Sequence, residues 1–272
     1  MRVAGDFANG FPGHSRTCVQ KWTRAATAPT TRCGAVLDSG RIRRDRTMTI
    51  AASPAFAATD RAAAPPARFI ALLTAATGIA SLALLAIHPG DAATDFAGVL
   101  KEEAANRVTD ALVHGGFIAV LAVQAVCYAV FSARLGWQRT ATVAGFVFFC
   151  AGVAFLSGSM VLDGLVTPAI AVRYVAAPAK IESARTLFVL IGTLISFLMP
   201  IGLAFQSAAI AAWGWALTAG GKRMTGLLGL VLGIAMLAAS FTTPLALMVA
   251  MAGTALWALV VGSILFRPEP RA

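Results

Sequence analysis

Four side chains with the chemistry to hold a metal ion or pass a proton stand close to the ends of long apolar runs: His88, Asp110, His114 and Asp163. Asn106, Asp110 and His114 are each four residues apart, so on a helix they share one face. His88 follows one apolar run and Asp163 closes another. Two imidazoles and two carboxylates at similar depth on consecutive helices make a donor set for a divalent metal such as zinc. The same groups can handle a proton, and the imidazoles alone can ligate haem. Each residue also has a plain structural reading. His88 precedes Pro89-Gly90, a helix stop, and an imidazole there suits the helix C-terminus. Asp110 and Asp163 fall at span ends, where a carboxylate stays hydrated. His114 lies about one turn inside its run, where an ionisable group is costly unless partnered, and Asp110 is within reach. At this level the alternatives stay open.

The rest of the chain has no comparable grouping. It contains no Ser/His/Asp set, no phosphate-binding glycine loop and no CxxC, so no catalytic residue is assigned. Of the four cysteines, Cys18 and Cys33 lie in a polar N-terminal stretch, while Cys127 and Cys150 read as small packing residues within apolar runs. Gln124 and Gln206, the polar side chains deep in such runs, read as hydrogen-bonding links between helices. Glu103 and Arg107, four apart, read as a solvated helix pair. Phe96, Val99 and Leu100 would give that helix a small apolar face lying on the membrane. The apolar runs also lack the buried acids and bases of an ion-coupled pump.

The elements that must position these groups are membrane spans. The chain is 58% hydrophobic and 12% charged, about half the charged share of a soluble domain. Phe69–Ile87 is 19 residues without a charge, and Ala111–Ala133 runs 23 with His114 as its only group that charges near neutral pH. A helix rises about 1.5 Å per residue and a bilayer core is about 30 Å thick, so each run crosses once. A third span covers 140–162. The uncharged 36 residues from Thr186 suit one helix over 186–212, bent at Pro200, with Trp213 and Trp215 at the interface. The last 43 apolar residues, Met224–Phe266, divide at Thr242-Thr243-Pro244 into spans over 224–242 and 245–266. The expectation is an all-α integral membrane protein: six transmembrane helices over 67–266, a disordered basic tail over 1–66, and a short C-terminal tail over 267–272.

Within the N-terminal tail, the run Arg41-Ile42-Arg43-Arg44-Asp45-Arg46 ends just before Met48, which reads as the true start, with residues 1–47 placed there by an upstream codon. The formal net charge of +10 does not point to nucleic acid, because the basic residues flank apolar runs instead of forming one patch. After residue 47, Arg61, Arg68, Arg134, Arg139, Lys222, Arg223, Arg267 and Arg271 fall on the N-terminal side. Lys101, Arg107, Arg173, Lys180 and Arg185 fall on the other. Eight against five places both termini in the cytoplasm and the His/Asp group at the extracytoplasmic face. Glycines in the third span, and Gly229-Leu-Val-Leu-Gly233 in the fifth, supply close helix contacts.

At His88-Pro89-Gly90, Val113-His114-Gly115 and Asp163-Gly-Leu-Val-Thr-Pro-Ala169 the chain resembles small multi-span bacterial inner-membrane proteins that carry no assigned activity. The resemblance covers Phe69 to Ala171 and implies a bacterial inner-membrane location; it implies no mechanism. Three functions fit the sequence. The leading one is a non-enzymatic accessory bundle that binds a membrane-protein partner or a second copy of itself and needs no cofactor. The second is an enzyme or a metal- or haem-binding protein using the His/Asp group. The third is a small oligomeric transporter or channel, which requires a polar passage past Gln124 and Gln206.

Overall fold

The structure, a computed structural model, describes residues 67–88, 93 and 95–267. Regular structure among them is entirely helical: α1 Ala67–Ala86, α2 Phe96–Leu135, α3 Thr140–Val161, α4 Thr167–Val175, α5 Ile181–Ala219, α6 Arg223–Ala239 and α7 Pro244–Phe266. A π turn over Leu162–Val166 joins α3 to α4 without a break, and a short 3-10 turn over Pro178–Lys180 precedes α5. Five stretches are long and apolar enough to cross a membrane: Arg68–Ala86, Phe96–Leu135, Thr140–Val175, Ile181–Ala219 and Leu245–Phe266. The sixth expected span corresponds to α6, apolar but only 17 residues long, about 25 Å of helix. What was expected of residues 1–66 and of the tail beyond Arg267 lies outside the described residues.

Neighbouring helices run antiparallel, and small residues let their backbones meet. A Cβ on Gly262 would stand 2.9 Å from the Ala71 carbonyl oxygen, and one on Gly78 2.8 Å from that of Ala255. These contacts fix α1 against α7, so the described chain begins and ends at the same end of the bundle. The Gly229/Gly233 pair faces α5: at Gly233 a Cβ would meet Ala211 N at 2.6 Å, and at Gly229 it would meet Gly214 Cα at 3.1 Å as well as the Trp257 ring of α7 at 2.7 Å. Side chains complete the helix ends. Asp95 accepts from Gly98 N at 2.7 Å to start α2, and Thr243 accepts from Ala246 N at 3.2 Å to start α7. At the opposite end Arg134 donates to the carbonyls of Ile264, Leu265 and Arg267, and Arg139 to that of Ala216. The last carbonyls of α7 need donors wherever water is scarce, and the Ala216 carbonyl also accepts from Gly220 N at 3.0 Å.

Three expectations are revised. Asp163 does not end a helix; the chain stays helical from Thr140 to Val175, with Asp163 and Gly164 in the π turn. Gly164 reads as a terminator in sequence, but its missing side chain serves close packing. Trp213 is not an interfacial anchor: it is fully buried among Tyr128, Phe131 and Phe149, whereas Trp215 is exposed. Phe96 and Leu100 do not lie on an outer surface but pack with Ala171 and Ala184, Phe96 meeting Phe188 edge to face at 5.4 Å. That small second core holds the N-terminal turns of α2 against α4 and α5.

Candidate metal centre

His88, His114 and Asp163 converge at the end of the bundle opposite Arg134. Each offers one ligand atom, and the three atoms lie within 4.8 Å of one another. His114 Nε2 is 3.3 Å from His88 Nε2 and 3.2 Å from Asp163 Oδ2. Two donors on a tetrahedral ion with bonds of about 2.0 Å stand about 3.3 Å apart, so two of the three edges already match. The rings of His88 and His114 meet edge to face, centroids 5.0 Å apart. His114 is buried, while Asp163 and His88 are partly exposed at its rim.

Local structure explains the convergence. His114 sits on α2 opposite Gly164, where a Cβ would come within 2.3 Å of the His114 Cβ and Cγ. Only glycine lets the π turn close on this ring. Winding the turn as a π helix adds a residue to the circuit and points Asp163 at His114; such bulges recur at functional sites. Thr167 steadies the widened turn, its Oγ1 donating to the Leu162 carbonyl at 2.9 Å. On the other side, Leu84 packs against Gly116 and brings the end of α1, with His88, over the same point on α2.

Hydrogen accounting gives the group its character. His114 Nδ1 lies 2.9 Å from the Asp110 carbonyl oxygen, which can only accept, so Nδ1 carries a proton. In the neutral ring Nε2 is then a bare lone pair. Asp163 as a carboxylate also only accepts, and a proton from His88 can satisfy at most one of the contacts converging on Nε2. The Nε2–Oδ2 contact therefore calls for a shared proton or a cation between the two atoms. An Nδ1–H donated to a backbone carbonyl is the bond that ordinarily orients a metal-ligating histidine.

Asp110 is buried, but its carboxylate is outside the set of three; its carbonyl holds His114. Asp110, Glu103 and Asn106 line a cleft of about 820 Å³ that also contains His88, His114 and Asp163. Glu103 thus faces a cavity, where the sequence suggested only a solvated pair with Arg107. Among the described residues, neither Gln124 nor Gln206 makes a side-chain hydrogen bond between helices. Both are buried beside a void of about 30 Å³, and Gln206 Nε2 has no hydrogen-bond partner. A space of that size holds one water. Cys127 is buried as expected, whereas Cys150 is exposed.

Sequence reasoning did not find Gly164 or Thr167 as parts of the site. The one signal was an Asp-Gly inside an otherwise helical apolar run, which has the same appearance as a helix end. Set against protein-family models, curated proteins and solved structures, the chain matches none, so the reading of the site stands on its own geometry.

Proposed function

We propose that the chain is a six-span protein of the bacterial inner membrane, with both termini cytoplasmic, that binds one divalent metal ion at its extracytoplasmic end through His88, His114 and Asp163. Support for the location comes from the apolar helices and from Arg134, Arg139, Lys222, Arg223 and Arg267 gathering at the end where the described chain starts and finishes. The observation that carries the metal is the convergence of His114 Nε2, His88 Nε2 and Asp163 Oδ2 within 4.8 Å, with His114 Nδ1 committed to a carbonyl. Three protein ligands leave a coordination position open, the pattern of zinc sites that act on a substrate, whereas structural sites close with four. This favours the metal-binding enzyme over an accessory bundle. A transporter is supported less, since Gln124 and Gln206 border a single-water void. Haem fits poorly, because imidazoles on opposite faces of one porphyrin need Nε2 atoms about 4 Å apart with a broad slot between them.

A second reading has its own support: 3.2 Å also suits a proton shared between His114 and Asp163. Metal analysis separates the two. Protein purified in detergent without chelator, then loaded with zinc or cobalt and desalted, is expected to retain one ion per chain. Cobalt should give the strong visible absorption of a four-coordinate site. Protein that retains no ion after loading would sink the metal reading in favour of the proton pair.

A further inference from the structure

We propose that the cleft beside this centre takes a neutral lipid, an apolar chain carrying one uncharged oxygen group such as an ester carbonyl or a hydroxyl, and that it enters from the flank of the bundle between α5 and α7. The proposal rests on the membrane and metal reading for what happens at its polar end; the volume and lining of the cleft do not depend on that reading.

The cleft lining holds two chemically different sets of residues, with Ser196, Ser240, Thr242 and Thr243 interspersed in the second. One is built from His88, Glu103, Asn106, Asp110, His114 and Asp163. The other is built from Phe197, Pro200, Ile201, Leu247, Met248 and Met251. A ligand matching both is an amphiphile with a small polar head and a large apolar body. The volume, about 820 Å³, lies within the range of sites that enclose a whole organic ligand. Charge decides the head. Three carboxylates, Glu103, Asp110 and Asp163, line the cleft, and no Lys or Arg is among its lining residues. A phosphate would find no Lys or Arg among the lining residues, whereas a neutral oxygen can take the open coordination position without bringing a further negative charge. The entrance follows from exposure: Phe197 is 63% exposed, Phe241 64% and Met248 40%, yet all three line the cleft. Large apolar side chains that are at once cavity wall and outer surface mark a lateral mouth, and the surrounding phase that suits them is the lipid interior. Space inside the mouth is real, because a Cβ on Gly192 would meet nothing within 4 Å.

Gly192 also supplies the test, since it lines the cleft and a Cβ added there has open space around it. The full chain would be reconstituted in phosphatidylcholine nanodiscs with one of two photoreactive probes: a diazirine-bearing monoacylglycerol or a diazirine-bearing phosphatidic acid. Cross-linked peptides and bound metal would be read on the same samples. The monoacylglycerol is expected to label the segments around Phe197 and Met248 at least about tenfold more than the phosphatidic acid, a ratio worth about 1.4 kcal/mol. Gly192→Phe should cut that labelling by a similar factor while the metal content stays unchanged. Labelling that is equal for the two probes, spread over the whole outer surface, or indifferent to Gly192→Phe overturns the proposal. Metal bound without selective labelling also overturns it and spares the metal reading. Selective, Gly192-sensitive labelling of a metal-free protein supports the cleft assignment while sinking the metal reading.

Discussion

The helix that carries Gly145 at one end and Gly164 at the other packs a glycine against a ring at both ends, with opposite results. Gly145 accommodates Trp213, whose indole a Cβ would meet at 2.7 Å; Gly164 accommodates His114. Around Trp213 the space is closed. Tyr128 and Phe149 pack at 4.9 and 5.9 Å between centroids, and the indole Nε1 donates to Ser132 Oγ at 3.1 Å. Around His114 one nitrogen is satisfied and the other points at a carboxylate, a second imidazole and a cleft. The same device, close approach through a missing Cβ, builds a dry anchor where the ring is apolar and its one donor is met. Where the ring's second nitrogen faces a carboxylate and another imidazole, it gathers donors for a cation or a shared proton.

This contrast can be broken by substitutions that should move stability at one end and metal at the other. The largest effect expected is that of Trp213→Ala, which empties a fully buried aromatic site and should cost about 3–5 kcal/mol in a denaturation assay in detergent, with metal stoichiometry unchanged in the folded fraction. Equal metal loss in that variant would mean the two ends are coupled. Next, His114→Ala should lower zinc affinity by more than about 100-fold, beyond the range usual for losing only a supporting residue, while shifting the melting temperature far less than Trp213→Ala does. Retained zinc in His114→Ala would move the site elsewhere. Gly164→Ala sharpens the comparison, since it deletes no ligand. Its Cβ should force α2 and the π turn apart, costing about 1–3 kcal/mol and weakening zinc binding about 10- to 100-fold. Metal binding at wild-type strength in Gly164→Ala would show that the close approach does not set the site. The smallest effect belongs to Gln206→Leu. Removing a buried amide nitrogen that has no partner should leave stability within about 1 kcal/mol of wild type. A large loss there would reveal a water-mediated bond at Gln206, checked by the same denaturation assay.

Much of the architecture is legible in the amino-acid order because hydrophobic length is a one-dimensional property. Runs such as Phe69–Ile87 and the pair divided at Thr242-Thr243-Pro244 read directly as helices and a turn, and the described chain has both. The spacing of Asp110 and His114 likewise foretold a contact between them, although the carbonyl of Asp110 makes it and not the carboxylate. Trp213 and Trp215 show where such reading stops. Two residues apart on one helix they point to different sides, and only the packing of Tyr128, Phe131 and Phe149 decides which is buried.

By itself, then, the sequence determined the helical class, the apolar stretches that the long helices contain and the presence of imidazoles and carboxylates near one end of them, since each of these depends on neighbours along the chain. The tertiary structure alone decided that His88, His114 and Asp163 meet within 4.8 Å, that Asp163 sits in a π turn inside a continuous helix, and that a cleft opens beside them. Those outcomes depend on the register between helices. Register is set by which small residue lies beneath which ring, as Gly164 lies beneath His114 and Gly116 beneath Leu84.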